Sequence, residues 1–98
     1  METTAKLTAE HVKDGVGNAH TNWKLYKLSR PVVLDRYEDG MTYEYVIVSA
    51  SVAYSGPETY VFPADENGEV TDWGELEGSF QGSLDYERAL AGFLQSHN

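Results

Sequence analysis

Thr42-Tyr43-Glu44-Tyr45-Val46-Ile47-Val48-Ser49-Ala50-Ser51-Val52-Ala53-Tyr54 is the stretch on which the fold turns. β-branched and aromatic residues dominate it, and these pack well on a pleated surface. Successive side chains of a strand point to opposite faces, and at Val46, Ile47 and Val48 both parities are apolar. Such a strand is expected in the middle of a sheet with both faces covered. The small residues Ser49, Ala50, Ser51 and Ala53 leave room for a helix or a ring to come close.

Upstream, Trp23-Lys24-Leu25-Tyr26-Lys27-Leu28 reads as a first strand, interrupted by Pro31. Val32-Val33-Leu34-Asp35-Arg36-Tyr37 reads as a second strand or extended edge, and Asp39-Gly40 as a hairpin turn. Downstream, Ser55-Gly56-Pro57-Glu58 reads as a turn and Thr59-Tyr60-Val61-Phe62 as the returning strand, limited by Pro63. Asn67-Gly68 is a strong hairpin signal, and Glu69-Val70-Thr71-Asp72-Trp73 reads as a short last strand. Gly74, Gly78 and Gly82 mark a loop anchored by Phe80. Ser83 can cap a helix, with Asp85 placed favourably against its dipole. Tyr86, Leu90, Phe93 and Leu94 then share one helical face.

Strands followed by one helix predict an α+β fold: an antiparallel meander of about four to five strands with a C-terminal helix on one face. Residues 1–21 are expected as a weakly ordered arm, with at most a short helix from Thr8 to Gly15, and residues 22–98 as the single domain.

The composition narrows the class of function. The chain has 98 residues, a net charge of -9, 41% hydrophobic residues and no cysteine. One domain of this size buries one modest core and leaves little room for a deep cleft. Without cysteine there is no disulfide, thiolate ligand or thiol nucleophile. Residues 37–98 hold twelve acids against one base, Arg88. A field of that sign repels nucleic acid and anionic lipid and favours a basic protein surface. Met1-Glu2-Thr3-Thr4 is not a basic region leading into an apolar stretch, so a cytoplasmic protein is expected. No run is long enough for a membrane helix.

A family resemblance enters with Tyr43-Glu44-Tyr45-Val46-Ile47-Val48-Ser49-Ala50, then Tyr54 through Asp65, then Asp72-Trp73-Gly74-Glu75-Leu76 with Gly78-Ser79-Phe80. Together with Trp23-Lys24-Leu25-Tyr26, these resemble small accessory proteins of actinobacterial phages. The resemblance implies a phage-encoded protein acting in a host bacterial cytoplasm, and it carries no catalytic or binding residue with it.

Chemistry-bearing patterns are few. The acidic run Asp65-Glu66-Asn67-Gly68-Glu69 is rich in oxygen, but counting an EF-hand loop from Asp65 puts Val70 and Leu76 where Gly and Glu are needed. His11, His20 and His97 lack the spacing of a helical metal pair. Gly78-Ser79-Phe80-Gln81-Gly82 is not the G-x-S-x-G elbow. No catalytic residue, metal or cofactor is therefore expected.

Twelve aromatic residues exceed what one small core hides easily. Trp73, Tyr54 and Tyr60 are candidates for exposure, and aromatic residues in a polar rim are typical interface anchors. Trp73 can equally close the open end of the core, since its ring is apolar and its edge polar. With Asp65, Glu66, Glu69, Asp72, Glu75 and Glu77 these residues form the candidate partner-binding surface. The expected function is a non-enzymatic phage accessory protein that binds a host or phage macromolecule, with a protein partner. No direct contact with nucleic acid or membrane is expected, and a homo-oligomer is compatible with the reading. The alternatives are a minor structural or assembly component, or an acidic mimic of nucleic acid that blocks a basic host protein.

Overall fold

The computed structural model describes residues 2–12, 22–34, 40–53 and 56–98. The apolar run becomes β3 (Met41–Ala53), flanked by β2 (Asn22–Leu34) and β4 (Gly56–Ala64). The edges of the sheet are β1 (Ala5–His11) and the two-residue β5 (Phe80–Gln81). Spatial order equals chain order, and every neighbouring pair is antiparallel. One helix, α1 (Tyr86–Ser96), packs on one face. This is the α+β meander expected from the sequence.

Both cores follow from the side-chain alternation of β3. Val46 and Val48 are fully buried on the helix side, with Tyr26, Val61, Ala89 and Phe93. Ile47 points the other way and is buried with Leu25 and Ala64. The helix is anchored at its start by Thr59 of β4, which is completely buried. The Thr59 hydroxyl donates to the Ser83 carbonyl at 2.9 Å and accepts from the Asp85 amide at 3.1 Å. Asp85, rather than the expected Ser83, is the N-cap: its carboxylate accepts from the Arg88 amide at 3.0 Å.

Four features of the strand pattern differ from expectation. Residues 5–11, expected within a weakly ordered arm, form β1 and pair with β2 from Ala5 opposite Leu28 to His11 opposite Trp23. The short helix expected from Thr8 is therefore absent over residues 8–11, and residues 13–21 lie outside the described part. Residue 3 is also fixed. Its amide donates to Asn98 Oδ1 at 2.5 Å, and its hydroxyl accepts from Arg30 Nε at 2.6 Å. A strand exposed along its length shows little apolar alternation, which is why it was not visible in the sequence.

Pro31 does not divide the segment in two. It sits exposed at a register shift between Lys27 and Val32, and β2 runs on through it to Leu34. Pro63 does not end β4 either. Its carbonyl accepts from the Thr71 amide at 3.0 Å, so its backbone faces the outer edge, where no donor to β3 is lost. The strand expected at 69–73 is reduced to a single bridge between Ala64 and Val70.

Instead, the segment from Val70 to Gly82 runs along the outer edge of β4 and satisfies it group by group. Leu76 donates to the Val61 carbonyl at 2.8 Å, Val61 donates to the Ser79 hydroxyl at 2.9 Å, and Gly82 donates to the Pro57 carbonyl at 2.9 Å. Unpaired strand edges invite association, and on this side the chain has closed its own.

Candidate functional site

The face of the sheet without the helix carries the candidate site. Alternation places Trp23 and Leu25 of β2, Tyr45, Ile47 and Ser49 of β3, and Tyr60, Phe62 and Ala64 of β4 on it. The row Leu25, Ile47 and Ala64 is buried, because the turn after β4 folds back over it. Asp65 shapes that turn. Its Oδ1 accepts from the amides of Asn67 at 2.9 Å and Glu69 at 3.0 Å, a side chain standing in for a backbone turn. Gly68, at φ +83, lets the turn lie so close that a Cβ there would be 3.6 Å from Leu25 Cδ2.

Beyond this turn the chain presents Trp73. Asp72 Oδ1 accepts from the Gly74 amide at 2.7 Å, forming a second short turn on either side of the tryptophan. The Trp73 ring stands edge-on to Phe62, with centroids 5.3 Å apart and planes at 66°. It is nonetheless 75% exposed. Of the two positions open to it, core cap or exposed ring, it takes the exposed one. A cavity of about 290 Å³ lies beside it, lined by Trp23, Ile47, Ser49, Phe62, Val70 and Trp73 together with Gly68. The rings continue outward on both sides. Tyr60 lies 6.0 Å from Phe62, with Gln81 Nε2 at 3.4 Å from its hydroxyl, and His11 stacks on Trp23 at 6.2 Å.

The expected surface is thus only partly assembled. Trp73 and Tyr60 share the helix-free face, joined through Phe62. Asp65 and Asp72 serve the two turns, and Glu69 lies in the turn that covers Leu25. Asp65 and Glu66 also line a separate, wider cavity of about 560 Å³ with Glu44 and Tyr45. Glu75 and Glu77 line a third cavity with Tyr43 and His97, and Glu77 Oε2 is 3.3 Å from His97 Nε2. Tyr54 lies outside the described residues. Trp23, Phe62 and His11 also belong to the ring cluster, and none of them is among the residues expected on the partner-binding surface. The alternation in Trp23–Leu25 and in Tyr60–Phe62 was present in the sequence, but it puts these rings on one face only through the register of both strands with β3.

Among the described residues, no group of three or more His, Asp or Glu side chains could hold a metal ion. No helix there is long and apolar enough to cross a membrane. The two phenols held above the ordinary tyrosine range, Tyr26 and Tyr86, belong to the helix side, and burial is the main cause in both. Comparison with protein-family models, with curated proteins and with solved structures found no match.

Proposed function

We propose that this chain is a non-enzymatic binding module that engages a protein partner through the helix-free face around Trp73. The observation that carries the reading is the state of that one residue: a tryptophan 75% exposed, yet held by an Asp72 turn and an edge contact with Phe62. Exposing so much apolar ring costs free energy unless a partner covers it. Tryptophan is also among the residue types enriched at interface hot spots. The resemblance to phage accessory proteins supplies the setting, a host bacterial cytoplasm, and the acidic composition favours a partner with a basic surface.

The test is affinity capture from a host lysate on two columns, one bearing the parent chain and one bearing Trp73→Ala, with equal folding checked by circular dichroism. A protein retained by the parent and lost by the variant supports the reading. A set of retained proteins indifferent to Trp73 removes it.

A further inference from the structure

The rings on the helix side already have cations seated on them, and among the described residues no lysine or arginine does the same for the rings of the Trp73 cavity. Arg88 lies 4.3 Å from the centre of Phe80, and Lys24 lies 4.9 Å from the centre of Tyr86. Among the described residues, no lysine or arginine lies over Trp23, Phe62 or Trp73. Aromatic faces carry negative quadrupole density and attract cations within about 6 Å of the ring centre.

The charged residues of the loop that walls the cavity have the same sign. The stretch that contributes Gly68, Val70 and Trp73 to its wall, residues 68–73, contains Glu69 and Asp72 and no lysine or arginine. Glu66 and Glu69 are exposed close to Gly68 and Val70 in the chain, two residues of the cavity wall. Drug-sized ligands occupy pockets of roughly 300–1,000 Å³. At about 290 Å³, open to solvent and walled by flat rings, this cavity suits one long side chain better than a whole small molecule.

We infer that the cavity between Trp23, Phe62 and Trp73 receives an arginine side chain from a basic peptide segment of the partner. Arginine is favoured over lysine because its planar guanidinium stacks on rings and gives up hydration more readily than an ammonium. The rings supply a contact that salt does not screen, and the carboxylates of Glu66 and Glu69 supply a field that it does. This inference rests on the reading that the helix-free face is the working surface, and it names the chemistry that face recognises.

Both tryptophans of the chain line the cavity, so intrinsic fluorescence reports on it directly. The probe is a synthetic peptide of alternating glycine and arginine. It is compared with the same peptide carrying lysine, and with one carrying citrulline, which keeps the shape of arginine without its charge. The arginine peptide should give a saturable change in tryptophan fluorescence, with the lysine peptide weaker and the citrulline peptide weaker by about tenfold or more.

Trp73→Ala, read by chemical-shift titration because it removes a fluorophore, should weaken the arginine peptide by about tenfold at low and high salt alike. The double variant Glu66→Gln, Glu69→Gln should weaken it only at low salt. Equal binding of the arginine and citrulline peptides overturns the inference, as does unchanged affinity in a folded Trp73→Ala protein. If the arginine peptide fails while the captured partner still depends on Trp73, the arginine inference falls and the binding face stands. If capture is also indifferent to Trp73, both fall.

Discussion

Gly78 and Gly92 meet where the loop passes under the helix: a Cβ built on Gly92 would stand 3.0 Å from the Gly78 Cα. The contact is tighter from the other side. A Cβ on Gly78 would lie 2.2 Å from the Ala89 carbonyl oxygen and 2.7 Å from the Phe93 amide nitrogen, and Gly78 has φ +96. Backbone thus packs on backbone, and the approach seats Leu76 and Phe93 in the same core.

Gly78→Ala should therefore destabilise by about 2–4 kcal/mol, combining overpacking with backbone strain. Gly82→Ala provides the control. Its φ is also positive, at +110, but nothing lies within 4 Å of the added carbon, so only the strain of about 1 kcal/mol applies. Urea denaturation of the two variants separates them. Equal costs would mean that the helix does not sit on the loop as described.

The N-terminal segment should contribute measurably to stability. Thr3 is 2% exposed and bonds to Asn98 and Arg30, so it ties the start of the chain to the end of the helix and to β2. Thr3→Val keeps the shape and removes the hydroxyl that Arg30 uses, at an expected cost of about 1–2 kcal/mol. Removing residues 2–11 deletes β1 and should lower the melting temperature by more than that single change, which amounts to about 4–8 °C per kcal/mol in a domain of this size. Thermal melts of both variants check this. A truncated chain that melts with the parent would show β1 to be energetically idle.

Stability should fall in strong base. Burial, then the carboxylates of Glu87 and Glu10 and the neighbouring Tyr86, hold the Tyr26 phenol above its ordinary range, and burial with Glu10 does the same for Tyr86. A group whose folded pKa is raised contributes fully below its unfolded pKa, about 10 for tyrosine, and its contribution is lost as pH rises through the folded value. Melting temperatures should hold from neutral pH to about 10 and decline above it. Tyr26→Phe should flatten the decline. An identical slope in that variant would place the sensitive group elsewhere.

What could be read from the sequence follows from burial. Val46, Ile47 and Val48 announced a central strand because both of their faces are covered, and Leu90, Phe93 and Leu94 announced the helix because one face is. β1 gave no such signal, since Lys6, Leu7, Thr8, Ala9 and Glu10 are all exposed. It is recruited by pairing with β2, and pairing is not written in hydrophobicity. The site divides in the same way. Trp73 was legible as a ring between polar neighbours. Its partner Phe62 and the opposing Trp23 were not, because parity places them together only once the register of β2, β3 and β4 is known. The acidic residues misled by number: close in the chain, they serve turns and two cavities separate from the one beside Trp73.

Trp73 as an anchor is tested most directly by the kinetics of the captured partner on immobilised parent, Trp73→Ala and Glu69→Gln proteins over a salt series. A buried ring is not screened, so Trp73→Ala should speed dissociation at every salt concentration, by roughly thirtyfold for a hot spot of about 2 kcal/mol, with association little changed. Glu69→Gln should instead slow association and flatten its salt dependence. A folded Trp73→Ala protein that associates and dissociates like the parent at all salt concentrations would contradict the claim that this face is the working surface.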